Sequence, residues 1–312
     1  MKITVDFDKK REIQVGNSGE VKFRFRDIAV KPGRKISLKD DFDPEFTGGY
    51  DDKAGALQHV AANVEHLSEM QELLYAQDTY SVLMIFQAMD AAGKDGAIRH
   101  VMSGVNPQGC HVTSFKSPSA EDLDHDYLWR ASKALPGRGM IGIFNRSYYE
   151  EVLVVRVHPE LLEKQKIPER ATQGDLWQRR FKQINNYEKY LRQNGTIILK
   201  FFLNVSKKEQ KRRFLSRIDE PEKNWKFSAA DFGERKFWDE YQTAFEDMLN
   251  NTSTEWAPWF VIPADNKWFA RLAISEATCG ALERLDLASP KVTEAQKQKL
   301  MEIRKQLIAE GD

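Results

Sequence analysis

The sequence predicts an α/β fold in which a parallel five-stranded sheet is covered by helices on both faces. Three observations carry that expectation. Apolar runs of strand length recur along the chain, they alternate with segments of helical periodicity, and the first runs into a small-residue loop ending in Gly93-Lys94. A strand buried on both faces reads as a continuous apolar run, and strands separated by helices join most readily in parallel. No period of roughly 20 to 50 residues recurs, which excludes a solenoid.

Taken in order, residues 1 to about 28 alternate apolar and charged positions, with Gly16-Asn17-Ser18-Gly19 as a turn, and read as a short two-stranded or extended appendage. Lys31-Pro32-Gly33-Arg34 and Asp40 to Pro44 are loop chemistry. From about Lys53 to Gln77, Leu57, Val60, Val64, Leu67, Met70, Leu73 and Leu74 recur at helical spacing, so a long amphipathic helix leads into the first strand, Ser81 to Phe86. A helix is expected from about Lys94 to Ser103, a strand over His111–Phe115, a helix from Asp122 to Leu135 and a strand over Met140–Phe144. Ser147 is placed to cap a helix starting at Tyr148. A long helix from about Thr172 to Gln193 stops at Asn194-Gly195, and Thr196–Val205 is the fourth strand. Trp259–Pro263 is the fifth, flanked by helices near 234–252 and 267–285, and a charged helix ends the chain. The expected organisation is an appendage (1–28), a catalytic domain (29–285) with a lid at about 206–232, and a C-terminal helix (286–312).

Composition bounds the function. Lys+Arg and Asp+Glu both number 47, so there is no long-range charge pulling the chain toward nucleic acid or membrane, and any anion site must be local. No apolar run approaches the ~20 residues that span a bilayer, and MKITVDFDKK lacks the apolar core of a signal peptide, so a cytoplasmic protein is expected. Two cysteines without CxxC spacing, Cys110 and Cys279, give no disulfide framework and read as packing residues. The six histidines form no metal-site signature, and the seven tryptophans read as core and interface.

A strand, a small-residue loop and a helix start form the layout of a phosphate-binding P-loop. The backbone amides of Ala91, Ala92, Gly93, Asp95 and Gly96 would wrap phosphate oxygens, the helix N-terminus adds its dipole, and Lys94 reaches a terminal phosphate. The match to GxxxxGK[ST] departs at Ala88, where a glycine belongs, and at Asp95, which replaces the magnesium-holding hydroxyl. Asp90 would repel phosphate unless a cation lay between them, which suggests magnesium. Asn145-Arg146 stands at the tip of the third strand, where an aspartate is common. A neutral amide there leaves the metal to Asp90 or to Glu150 and Glu151. Arg146 suits bidentate phosphate contact or a structural role. Lys207–Arg217 carries six cations against Glu209, either a solvated helix or a lid that brings Arg213 and Arg217 over a transferring phosphoryl group.

The runs FQAMDAAGKDGAIRHVMSGVNPQGC, SFKSPSAEDLDHDYLWR, IGIFNRSYYEEVLVVRVHPELL and RRFLSRIDEPEKNWKFS closely resemble the polyphosphate kinase 2 family over roughly residues 25 to 285. The resemblance implies a P-loop kinase-like three-layer αβα sandwich with a helical lid. It implies phosphoryl transfer between inorganic polyphosphate and nucleotides with Mg2+, or Mn2+ as a substitute. By motif, Asp90 resembles the loop aspartate that organises metal and acceptor phosphate, Lys94 the phosphate-binding lysine, Arg146 the arginine after the Walker B position, and Arg213 and Arg217 the lid pair. Asn145 and Tyr149-Glu150 are similar to the subgroup accepting both AMP and ADP. Polyphosphate would follow Lys94, Arg146, Arg213 and Arg217, with Lys116, Arg130 or Lys223 further out, and Asp90 and Glu150 would hold the metal. The expected partners are polyphosphate and adenine nucleotides, with guanine nucleotides a further candidate, and a homo-oligomer, dimer or tetramer. The rival readings are a nucleotide-donor small-molecule kinase and a non-catalytic polyanion- or nucleotide-binding module.

Overall fold

The computed structural model describes residues 22–51 and 53–310. The turn expected at Gly16–Gly19 lies outside the described residues. The longer elements are α1 (Lys53–Gln77), β1 (Ser81–Ala88), α2 (Lys94–Val101), β2 (Cys110–Ser114), β3 (Ile141–Asn145), α3 (Leu176–Gln193), β4 (Thr196–Asn204), α4 (Lys207–Asp219), α5 (Trp238–Thr252), β5 (Trp259–Pro263), α6 (Lys267–Leu282) and α7 (Glu294–Glu310). Five strands form one parallel sheet in the order β2-β3-β1-β4-β5. The helices α1, α2 and α6 pack together in one layer, and α3 and α5 in another. This is the three-layer sandwich that the alternating pattern predicts.

The central strands read as unbroken apolar runs because both faces are covered. Val82, Leu83, Met84 and Ile85 of β1 have no exposed surface, and Ile141, Ile143 and Phe144 of β3 have none either. Register places Phe86, Phe201 and Phe260 side by side across β1, β4 and β5, with ring centroids 5.1 and 5.7 Å apart. Each such aromatic contact adds about 1 kcal/mol beyond its area burial. The exception to apolar continuity is Lys200, at the centre of β4 and fully buried.

Several expectations are corrected. The buried stripe of α1 runs through Ala56, His59, Val60, Asn63, Leu67, Met70, Gln71 and Leu74, so Leu57 faces outward and three polar residues face in. Asn63 Nδ2 donates to Ser275 Oγ (3.0 Å) and Glu276 Oε1 (2.6 Å), fastening α1 to α6 through polar pairs that an apolar count passes over. The helix expected over 122–135 is two short ones, Ala120–Leu123 and Trp129–Lys133. Ser119 and Asp122 form a capping box that starts the first early, and Asp126 Oδ1 takes the Leu128 amide and interrupts the run. After Ser147 the chain makes a 3-10 turn, Tyr148–Val152, and within the expected lid Pro221–Lys226 is another 3-10 turn.

Residues 22–28 are part of the packed body. Phe23 and Phe25 are buried, Phe23 edge-on to Phe269 and Phe25 edge-on to Phe260, and Ala29 bridges antiparallel to Phe260 at the outer edge of β5. Alternation there reflects one face against the core. No helix among the described residues is long and apolar enough to cross a membrane.

Candidate active site

In a parallel α/β sheet the loops at the carboxyl ends of the strands gather ligands, and here the tips of β1 and β3 meet. The loop after β1 turns through two left-handed residues, Gly93 at φ +106° and the non-glycine Ala91 at φ +61°. Arg146, directly after β3, is left-handed too, at φ +64°. Such backbone costs on the order of 1–3 kcal/mol at a non-glycine residue and persists where the surroundings enforce it, characteristically at functional sites.

The strained turn aims Arg146 at the loop. Its guanidinium lies 2.6 Å from Asp90 Oδ1 and 3.7 Å from Glu150 Oε2, with the side chain 37% exposed. Burial works against the arginine charge, and Glu150 and Asp90 more than offset it. Gln87, buried at the end of β1, donates to Glu150 Oε1 at 3.0 Å and leaves its own Oε1 without a partner. Lys94 Nζ donates to the Ala88 carbonyl at 3.0 Å. Burial, then the Arg146 charge, lowers the lysine pKa, with Asp90, Glu150 and Asp95 pulling the other way.

The two departures from a standard phosphate loop meet one another. Asn145 Nδ2 donates to Asp95 Oδ1 at 2.6 Å. An aspartate at 145 would set two carboxylates at that distance, so the amide at the strand tip suits an acid in the first turn of α2.

The amphipathic helix α4 closes over this loop. Ser206 caps it by accepting the Glu209 amide, Gln210 Nε2 donates to the Asp90 carbonyl (3.0 Å), and Arg213 donates to the carbonyls of Ala91 (3.1 Å), Ala92 (2.5 Å) and Ala264 and to Glu209 Oε1 (2.7 Å). Arg213, expected over the transferring phosphoryl group, is buried here, its side chain 6% exposed, and bound to the loop's backbone. Arg217 turns elsewhere, donating to the Lys226 carbonyl (3.1 Å) and lying 3.7 Å from Asp231 Oδ2. Burial and then Asp90 raise the Asp231 pKa, against the pull of Arg217 and Arg146, so this acid belongs to the same electrostatic field.

Of the residues expected at the site, Asp90, Ala91, Ala92, Gly93, Lys94, Asp95, Gly96, Asn145, Arg146 and Glu150 lie on the two strand-tip segments that meet. Lys223 stands apart, paired with Glu220 and Ser216. Lys116 and Arg130 sit beyond β2, where Arg130 donates to the Lys116 carbonyl at 2.8 Å and stacks over Phe115. Glu151 points away from Glu150, to Arg180 (3.1 Å) and Gln165 (2.6 Å), which removes it from the metal set. It lines instead a cavity of about 400 Å3 with Tyr127, Arg130, Arg179, Arg180 and Gln183. Sequence reasoning missed this cavity, together with Gln87, Gln210 and Asp231. The one available signal was Gln87, a polar side chain closing an apolar strand.

Two carboxylates, Asp90 and Glu150, converge on one cationic group, so the spot is one that positive charge already occupies. That donor set fits a hard cation bound by one or two carboxylates plus phosphate oxygens and water. Among the described residues no group of three or more His, Cys, Asp or Glu side chains is arranged to hold a metal ion.

Comparison with known proteins gives a consistent picture. Residues 50–290 match the family model described as Polyphosphate kinase 2. An ADP-polyphosphate phosphotransferase of Rhodopseudomonas palustris is 50% identical over 92% of this chain and 100% of the relative. An AMP/ADP-polyphosphate phosphotransferase of Meiothermus ruber is 45% identical over 84% of this chain and 94% of its own. The crystal structure of polyphosphate kinase 2 from Arthrobacter aurescens TC1 superimposes with a TM-score of 0.78 at 41% identity, covering 88% of this chain and 95% of that one.

Proposed function

The chain belongs to the polyphosphate kinase 2 family, and from that premise we propose that it transfers the terminal phosphoryl group of inorganic polyphosphate to AMP and to ADP. A terminal phosphate oxygen of the nucleotide attacks the last phosphorus of the chain, the bond to the next bridging oxygen breaks, and the shortened polyphosphate leaves with the electron pair. The attacking oxygen is already anionic, so no strong general base is needed, and catalysis rests on position and charge. The observation that carries the reading is the convergence of Asp90, Lys94, Arg146 and Glu150 at the tips of β1 and β3 beneath α4.

Lys94 and Arg146 neutralise the transferring group. Arg146, bridging two carboxylates and partly exposed, can exchange them for phosphate oxygens, whereas Arg213 holds the loop that presents them. Asp90 and Glu150 would hold Mg2+, or Mn2+ in its place, which when bound supplies charge neutralisation between donor and acceptor phosphates. The cavity beside Glu151 lies at the same end of the sheet, and its size, its Tyr127 ring and its arginines suit the acceptor's nucleoside. Polyphosphate would extend past Arg217 toward Lys223, or past Lys116 and Arg130.

The names of the two relatives differ on AMP. Asn145 and Glu150 support acceptance of both nucleotides. The test is nucleotide formation by the purified protein with magnesium and long-chain polyphosphate, offered AMP and ADP separately and followed by chromatography. ADP and then ATP from AMP is the expected result. ATP from ADP alone would overturn the AMP assignment, and no product from either would overturn the reading. Family membership also supports assembly as a dimer or tetramer, which sedimentation of the intact chain would measure.

A further inference from the structure

The polar cluster that the site does not use lies directly beneath it. Lys200 at the centre of β4 and Glu188 on α3 are both without exposed surface and lie 2.7 Å apart. All three ammonium protons are taken, by Glu188 Oε2 (2.7 Å), the Thr252 carbonyl (2.7 Å) and the Tyr149 hydroxyl (2.9 Å). Tyr148 and Tyr149 both donate to Glu188 Oε1, at 2.9 and 2.7 Å. Burial raises both tyrosines far above their ordinary range, so they remain protonated donors. The cluster is closed: Trp259 Nε1 donates to Thr252 Oγ1 at 2.9 Å, and the Trp259 ring packs edge-on to Tyr149.

A buried ion pair of this kind is poor value as a stabiliser, because well-packed apolar residues of the same volume usually serve as well or better. Its placement suggests another role. Tyr148 and Tyr149 lie in the chain between Arg146, which faces Asp90, and Glu150, which lies 3.7 Å from Arg146. Ser147 Oγ also accepts the Tyr149 amide, so the whole turn is fixed from inside. The left-handed Arg146 at its head is the kind of backbone that persists where its surroundings over-determine it.

We propose that Lys200, Glu188, Tyr148 and Tyr149 form a positioning device that clamps the 146–150 turn, holding Arg146 and Glu150 in the geometry that phosphoryl transfer requires. None of the four touches the reacting groups; they act through Arg146 and Glu150. The inference rests on the phosphoryl-transfer reading above.

The test uses the intact chain with Tyr149→Phe, which removes one oxygen and keeps the buried ring, and Lys200→Met as the stronger variant. Tyr149→Phe is expected to lower kcat about tenfold, with KM for ADP nearly unchanged, since a small misplacement of a charged contact suffices for such a loss. In an Arg146→Ala background the same change is expected to add little further loss, because the two act as one unit. Amide hydrogen exchange over 146–150 should rise in Tyr149→Phe while the sheet amides stay protected. Full additivity with Arg146→Ala, or a lowered Tm with kcat and 146–150 exchange unchanged, would make the cluster merely structural and overturn the inference. If Lys200→Met fails to fold, Tyr149→Phe still decides. A wild-type protein that makes no nucleotide from polyphosphate would overturn the phosphoryl-transfer reading itself, whereas an active wild type with an indifferent Tyr149→Phe would overturn only the clamp.

Discussion

Arg146 and Arg213 approach the same phosphate loop from opposite sides and do different work. Arg146 sits on a strained turn, partly exposed, with two carboxylates competing for it. Arg213 is buried, and its partners are mostly backbone carbonyls of Ala91, Ala92 and Ala264. The difference lies in what an arriving polyanion can displace. Carboxylates repelled by phosphate and drawn to a cation can release Arg146, while buried carbonyls have no other donor to turn to. The same residue type therefore serves as a ligand for substrate in one place and as a latch for the loop in the other.

The largest test of that distinction is on the ligand side. Arg146→Ala, Lys94→Ala and Asp90→Ala are each expected to lower kcat by on the order of 10²- to 10³-fold, as loss of a comparable electrostatic contact does, with thermal unfolding shifted little for the partly exposed Arg146. Nucleotide formation from polyphosphate and a melting curve on the same preparation would measure both. Retention of more than about a tenth of the activity in any of the three would remove that residue from the mechanism.

The latch should show the reverse pattern. Arg213→Met leaves the carbonyls of Ala91, Ala92 and Ala264 without that donor and is expected to cost about 2 kcal/mol of stability, seen as a Tm lower by roughly 4 to 8 °C. The activity of the molecules that remain folded should fall less than in Arg146→Ala. A variant that keeps its Tm but loses all turnover would put Arg213 back among the residues that meet phosphate.

The contrast also shows what could be read from residues alone. The sheet was legible because strands covered on both faces must be continuously apolar, and Val82–Phe86, Ile141–Phe144 and Trp259–Ile262 are. The strand-loop-helix around Gly93-Lys94 was legible because phosphate binding needs small residues next to a helix start. Arg213 was not, since spacing gives a helix face and says nothing of what that face meets. Nor was Lys200, whose partners lie on α3, at the end of α5 and after β3 and are brought to it only by the fold. The left-handed turns at Ala91 and Arg146 had no glycine to announce them, because tertiary packing, not local preference, enforces them.

The smallest effect concerns Glu209, the one carboxylate bound to the latch. Burial raises its pKa, but hydrogen bonds and charge from Arg212 and Arg213 outweigh that and hold it below the usual glutamate range. A carboxyl whose pKa is depressed by folding stabilises the folded protein at every pH above its unfolded value. That contribution is lost as the pH falls through about 4 and below, where the unfolded chain takes up the proton first. Arg213 would then face a neutral acid in place of a carboxylate, with its backbone contacts intact, so the loss is partial. The Tm of the wild type should accordingly fall more steeply as the pH drops from about 5 to about 3 than that of Glu209→Gln, which lacks the titrating group and starts slightly lower. Parallel Tm curves would mean that the latch draws its strength from the backbone carbonyls alone, and the comparison with the carboxylate-held Arg146 would become sharper still.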